Sequence, residues 1–459
     1  MLATVAIRVV PFSEIDEACL SASLPDSPFN IEIELALAGR VDLRQLRTAV
    51  RHAIRCHPMA GARQLPARPL DRHYRWELTD GADVDPVVTR ASRDRDGHDA
   101  ARESALSAAL PLDRSPPFRL FVRQGPQSDT LLLSASHVAM DGMGALRLVS
   151  AIASAYIGRP DQPADRDATP HQLFERHLAR PLSTSWFDRM ATARNAYADN
   201  WLEGSVRLVG GVDAPEPGFH VVHLRLPRAV ADELRPTDHA IETRNDLLLA
   251  ALTRAIERWN NKRGGVAGRV TIMVPVNLRP DDAWSDVVGN VSVAAVVTTG
   301  PADRRDDASL IASVRHQTAK IKADAARTGL VDIYRMAAMA PVFWKQSTAA
   351  LLGRFAIDRT MPTAVLSNLG TPEHPLTFGD AGAVRELWFS PPCRAPTSLA
   401  VGAVCWRGAL FMSLRFHRAA WARSSAVAFA RELADTSRAL TGRRPRRRRS
   451  GADAFARES

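Results

Sequence analysis

The stretch Leu131-Leu-Leu-Ser-Ala-Ser136-His137-Val-Ala-Met-Asp141-Gly142-Met-Gly144 holds the residue types best suited to chemistry. An apolar strand runs into a histidine, and four residues later an aspartate and a glycine introduce a helix. A histidine at a strand end lies on a loop that a rigid sheet can hold at a cleft. Its imidazole titrates near neutral pH and suits general acid–base work. Asp141, just ahead of a helix, can stabilise the positive helix N-terminus or pair with an arginine, and either contact fixes the loop. Gly142 permits backbone conformations that bulkier residues resist, and it leaves room for a ligand. Taken alone, the string is moderately specific, the competing reading being a loop histidine beside a helix cap.

Other catalytic signatures are missing from the sequence: there is no GxSxG elbow, Walker loop, GxGxxG or HExxH. The histidine pairs His52/His57, His171/His177 and His220/His223 lack acidic or cysteine partners at metal-ligand spacing, so no metal is expected. Met336 and Met339 could line a hydrophobic channel, because methionine adapts to irregular chains, or could simply pack a core.

The elements around the histidine follow from hydrophobic periodicity. Asn30–Leu37 alternates with period two and reads as a strand. Gly39 to Asp42 turns it into a helix over Leu43–Cys56, which His57-Pro58 ends. Phe118–Val122 and Thr130–Ser136 read as paired strands around Gly125-Pro126, followed by a helix over Gly144–Ile157. From about Arg159 to Gly218 the chain is rich in Pro, Asp and Gly, the texture of a connector, with one helix expected near Pro181–Leu202. Beyond it come strand Phe219–Leu226, helix Asn245–Trp259 capped by Asn245, and strands Val270–Asn277 and Asn290–Thr299. Helices near Leu310–Arg327 and Asp332–Ala350, strands Ala364–Ser367, Leu399–Trp406 and Leu410–Phe416, and a helix Ala422–Leu440 complete the pattern. Strands and helices interleave in both halves, so the expected class is α/β (α+β), with mixed sheets covered by helices. The expected division is a first lobe at 1–180, a connector at 181–209, a second lobe at 210–440, and a disordered arginine-rich tail at 441–459.

At 459 residues the chain is long enough for two lobes, and 46% hydrophobic against 24% charged residues describes a globular protein. The apolar runs Leu247–Leu252 and Val293–Val297 fall far short of the ~18 residues of a membrane span. The opening MLATVAIRVVPF reads without a secretory leader. Cys19, Cys56, Cys393 and Cys405 are dispersed with no CxxC, which points to reduced thiols and a cytoplasmic location. Half of the net charge of +10 belongs to the tail after Gly442, where seven arginines face two acids. The body is close to neutral and no nucleic-acid partner is expected, although the tail could touch acidic lipid headgroups as a peripheral contact.

The string Ser136-His137-x-x-x-Asp141-Gly142 resembles the HHxxxDG signature of the chloramphenicol-acetyltransferase-like superfamily. That superfamily includes nonribosomal peptide condensation domains, wax ester synthase/diacylglycerol acyltransferases and polyketide-associated acyltransferases. Further segments are similar in the same order: Leu43–Val50 through His57-Pro58, Pro111–Arg119, Asn245–Leu252, Val274–Arg279, Gly289–Ser292 and Ser367–Gly370. Ser136 replaces the first histidine of the signature, and Arg119 stands where the wax ester branch has tryptophan. Gly61 stands where condensation domains often have an arginine, so another arginine, such as Arg63 or Arg279, is expected to pair with Asp141.

The resemblance implies two lobes with a tunnel between them and His137 as the general base for acyl transfer from a thioester. It implies a catalytic role for His137 and Asp141, and substrate contacts from Ser136, Gly142, Ser367 and Asn368. Ser367 and Asn368 would be oxyanion donors or substrate contacts, with Asn368 alternatively only capping a turn. The acyl donor would be acyl-CoA or an acyl-carrier protein, with no cofactor of the enzyme's own. The acceptor would be a hydroxyl or amine on a hydrophobic molecule, since apolar helices flank both motifs. An amide-forming condensation enzyme, or an idle binding homologue of the same fold, would carry a similar pattern.

Overall fold

The structure, a computed structural model, describes residues 8–24, 27–91, 102–161, 169–173, 204–211, 216–233, 243–279, 286–325, 334–335, 338–347, 361–373, 376–394, 397–440 and 456–457. The period-two segments pair as their alternation requires. Five strands lie in the order β12 (Val384–Ser390), β2 (Asn30–Leu37), β7 (Asp129–Ser136), β6 (Phe118–Gln124) and β5 (Val87–Ala91), with His137 just past the end of β7. A seven-stranded sheet has the order β10 (Ser292–Thr299), β9 (Val270–Asn277), β11 (Ala364–Asn368), β13 (Leu399–Trp406), β14 (Ala409–His417), β8 (Phe219–Leu226) and β15 (Ala456–Arg457). Most pairs are antiparallel, while β5–β6, β11–β13 and β11–β9 are parallel, so both large sheets are mixed. A small sheet joins β1 (Arg8–Pro11), β4 (Arg75–Leu78) and β3 (Ala62–Gln64).

The longer described helices are α1 (Glu14–Ala22), α2 (Leu43–Cys56), α3 (Gly142–Tyr156), α4 (Arg244–Asn261), α5 (Asp307–Ala325) and α6 (Arg423–Leu440). α2 buries Leu46, Val50 and Ile54, one residue per turn, against α3 on the first sheet. α4 and α6 pack together over the seven-stranded sheet, closing a second core around Trp259, Phe416, Trp421 and Phe429. The glutamates of β2 show that its sheet is covered on both faces. Glu34 is buried, and its two oxygens accept hydrogen bonds of 2.7 and 2.8 Å from Arg102, so the charge is not left bare.

Several expectations change. Thr243 rather than Asn245 caps α4, its hydroxyl accepting from the Asp246 amide at 3.3 Å. Met339 is 70% exposed, so it neither packs a core nor lines a channel, and Met336 lies outside the described residues. The helix expected near Pro181–Leu202 and most of the arginine tail also fall outside them. Within that tail, Ala456–Arg457 add an edge strand to β8. β12 comes from the later part of the chain, 210–440, and pairs antiparallel with β2 of the earlier part, Glu32 opposite Ser390. Among the described residues, no helix is long and apolar enough to cross a membrane.

Candidate active site

β7 delivers the histidine. After Ser136 the chain turns tightly, with the amides of Ala139 and Met140 both donating to the Ser136 carbonyl, while the His137 amide donates to Phe29 O at 2.9 Å. The imidazole is half-buried, stacked on the Phe29 ring with centroids 5.1 Å apart. Its Nδ1 lies 3.2 Å from Asn290 Oδ1 and 3.7 Å from Cys19 Sγ. Asn290 is fully buried, and its Nδ2 points at three acceptors: Asp16 Oδ1 at 3.1 Å, His137 O at 2.7 Å and Val138 O at 2.8 Å. Three acceptors around the nitrogen fix which way the amide faces, so Oδ1 must accept from His137. The neutral imidazole then carries its proton on Nδ1, leaving the Nε2 lone pair free. Burial holds the His137 pKa below the ordinary imidazole value, against the opposing pull of the Asp141 carboxylate.

The support behind Asn290 comes from α1. Ser13 and Asp16 form a capping box, Ser13 N donating to Asp16 Oδ2 at 3.0 Å and Asp16 N to Ser13 Oγ at 3.1 Å. Trp76 Nε1 donates to the same carboxylate at 3.1 Å. Burial outweighs these donors and raises Asp16 to a pKa of about 6.

Asp141 caps α3 and is consumed by the protein. Its Oδ1 accepts from Gly144 N at 2.8 Å and Arg279 Nη2 at 3.0 Å. Its Oδ2 accepts from Arg279 Nη1 at 2.8 Å, Val291 N at 2.9 Å and Ser292 Oγ at 2.8 Å. Burial alone would raise its pKa, but the Arg279 charge and these donors outweigh it and hold Asp141 below the usual carboxylate range. Of the two arginines considered for this role, Arg279 takes it; Arg63 binds Glu77 and Asp83 instead. Backbone closes the space beside Gly144, whereas only side-chain ends stand beside Gly142. A Cβ on Gly144 would meet the backbone N and O of Gly289 at 2.8 Å, and one on Gly142 would meet Leu369 and Phe389 side chains at 2.9 to 3.1 Å.

A cavity of about 300 Å³ opens onto His137. Its walls come from α1 (Ile15, Cys19), Phe29, Met143, and the strands β9, β10, β11 and β12. Gly142, Ser367 and Asn368 line it as well, and so does Asp141. Ser136 does not: it is buried, and its hydroxyl accepts from Val138 N at 3.3 Å, shaping the turn. Asn368 Oδ1 accepts from Gly370 N at 3.0 Å and so caps a turn, which leaves its Nδ2 donors without a partner among the described residues. The Ser367 hydroxyl likewise has none among them.

Sequence reasoning singled out the Gly289–Ser292 segment without a role for Asn290, and it missed α1 with Asp16 and Cys19. The pattern Ser13-x-x-Asp16 before an apolar run was the available signal. The histidine pairs also find partners that spacing did not show: His57 Nε2 lies 3.2 Å from Asp161, and His220 Nδ1 lies 2.9 Å from Glu103. Even so, the described residues contain no group of three or more His, Cys, Asp or Glu placed to hold a metal ion.

No family model matches the chain. The Mycobacterium tuberculosis protein Rv2305 (strain ATCC 25618 / H37Rv) is 31% identical over 417 residues, covering 88% of this chain and 93% of the relative. MT2362 of M. tuberculosis strain CDC 1551 / Oshkosh matches to the same extent. Among solved structures, the nonribosomal peptide synthetase FmoA3 superposes with a TM-score of 0.68 at 18% identity, over 98% of this chain and 44% of that one. The trichothecene 15-O-acetyltransferase TRI3 from Fusarium sporotrichioides gives 0.68 at 12% identity, over 94% and 95% of the two chains. The condensation domain of the Monacolin K polyketide synthase MokA gives 0.64 at 13% identity, over 95% and 97%. The chain thus has the two-lobed fold that these condensation and acetyltransferase structures share, and it belongs to the same protein family as Rv2305.

Proposed function

We propose that this protein is an acyltransferase that moves an acyl group from a thioester, acyl-CoA or an acylated carrier protein, to a hydroxyl or amine of a largely hydrophobic acceptor. The observation that carries the reading is His137, its Nδ1 turned to Asn290 Oδ1 and its ring open to an apolar cavity. A thioester is already activated, so the missing element is a base. Nε2 takes the acceptor's proton as its oxygen or nitrogen bonds to the carbonyl carbon, a contribution of roughly 10²–10⁴ in rate. The tetrahedral oxyanion then collapses, the C–S bond breaks, and the leaving thiolate recovers the proton from the imidazolium. Asn368 Nδ2 and the Ser367 hydroxyl are candidate donors to the oxyanion, being unspent and in the cavity wall.

Cys19, beside the histidine, would invite a covalent route. Burial and the nearby Asp16 and Asp141 carboxylates push its thiol pKa well above the ordinary value, which disfavours the nucleophilic thiolate. Direct transfer with no acyl-enzyme is the better-supported mechanism. Asp141 acts by bracing the loop through Arg279. The fold of the MokA and FmoA3 structures keeps an amide-forming condensation as the alternative outcome of one experiment. Purified protein is incubated with a series of acyl-CoAs and with acyl-phosphopantetheinyl carrier protein, in cell extract, and new esters and amides are read by mass spectrometry. His137→Ala should abolish product without changing the melting temperature; an alanine variant with wild-type turnover would overturn the assignment.

A further inference from the structure

The charged side chains in the cavity wall are unequally matched. Asp141 is neutralised in a two-pronged contact by Arg279, whereas Arg394 has no ion pair or hydrogen bond among the described residues. The guanidinium is half-buried, and its Nε is closed off from water without an acceptor. The same cavity wall includes Pro391, Pro392, Met361 and Pro362, which carry no charge. Thr397 donates its hydroxyl to Pro362 O at 2.9 Å, and it is neutral, so it supplies no countercharge to the guanidinium. Burial accordingly pushes the Arg394 pKa below its ordinary value.

The backbone that carries Arg394 is anchored ahead of it. The Cys393 carbonyl accepts from Ser27 Oγ at 3.3 Å, and the Cys393 thiol donates to Thr397 O at 3.3 Å. An unmatched cation in an apolar wall is unfavourable unless something brings an anion to it. Arginine offers a planar fork of donors suited to a carboxylate or phosphate.

We propose that Arg394 is a specificity-determining residue that binds an anionic group, carboxylate or phosphate, on an otherwise apolar substrate occupying this cavity. The proposal rests on reading the cavity as the substrate site, and it refines the acceptor or donor from merely hydrophobic to an amphiphile with one acidic end. That end would hold the molecule in a single orientation relative to His137.

The test is direct binding, separate from turnover. Calorimetric titration compares octanoate with octan-1-ol, and 4′-phosphopantetheine with pantetheine, against wild type, Arg394→Gln, Arg394→Lys and His137→Ala. In wild type, at least one anionic probe should bind about 10-fold or more tighter than its neutral counterpart, the scale of a charge-assisted contact. The octanoate pair reports a carboxylate and the phosphopantetheine pair a phosphate. That preference should vanish in Arg394→Gln, survive in part in Arg394→Lys, and persist in His137→Ala. Equal or undetectable binding of both members of both pairs, or a preference that persists in Arg394→Gln, would overturn it. Because His137→Ala is read in the same titration, a failed base assignment would leave this result standing.

Discussion

Replacing Asp141 by asparagine separates bracing from direct catalysis. The side chains of Asp141 and Arg279 are only 2% and 3% exposed, and the carboxylate accepts from Gly144 N, Val291 N, Ser292 Oγ and both Arg279 terminal nitrogens. Asparagine keeps the shape but turns an NH₂ toward at least two of those donors, whichever way it flips. It also leaves Arg279 buried without a counter-ion. Removing one partner of such a pair costs about 3–5 kcal/mol. For a lobe-sized unfolding unit, that is a fall of roughly 6–20 °C in melting temperature. Differential scanning calorimetry beside a turnover assay reads both effects. Arg279→Met in the same background should cost much less than it does alone, because the stranded charge is gone. The folded Asp141 pKa is depressed, so its contribution is fully present above the unfolded carboxylate value of about 3.9 and is lost as pH falls through the lower folded value. The gap between wild type and Asp141→Asn should therefore narrow on acidification. Loss of turnover at an unchanged melting temperature would refute the bracing role and make Asp141 a direct participant.

Asn290→Leu removes the acceptor that orients His137 and should lower kcat by about 10²-fold, part of what a general base contributes; a change under about twofold would show that the tautomer is set elsewhere. Because burial depresses the His137 pKa, the acid limb of kcat/KM should lie below the free imidazole value of about 6.5, with activity lost as pH falls through it; a limb above neutrality would contradict the assignment. Gly144→Ala gains helix propensity of up to about 1 kcal/mol but drives a methyl into the Gly289 backbone, at a cost of about 1–3 kcal/mol. Backbone cannot rotate away, so thermal unfolding should show net destabilisation.

Much of the scaffold was legible because its signals are local. Asn30–Leu37, Leu43–Cys56, Phe219–Leu226 and Val270–Asn277 carry clean periodicities, and the structure keeps those bounds. The HxxxDG loop was legible for the same reason. What escaped is non-local or short. Helix α1 spans only nine residues, and β12 reads Val-Arg-Glu-Leu-Trp-Phe-Ser without alternation strong enough to announce it. Asn290 meets His137 across 153 positions of chain, and no spacing rule reaches that far. The Arg279 pairing was one of two open choices, because sequence alone does not say which arginine the fold brings to Asp141. Arg394 drew no notice, since an arginine becomes informative only when its surroundings lack a partner.

The pairing of β12 with β2 makes the two halves of this protein mutually dependent in time as well as in space. The sheet that ends in His137 has its outer strand, with Ser390 opposite Glu32, supplied from late in the chain. A ribosome-bound first lobe would present the β2 edge as a row of unpaired amides and carbonyls, a template open to any passing strand. Closing so long a loop adds little to the equilibrium cost, which grows only with the logarithm of loop length, but non-local pairing of this kind is slow to form. Cutting the chain between the lobes would not yield two half-proteins. It would yield a sheet missing its border and a strand missing its sheet, pieces whose most complementary surface is each other.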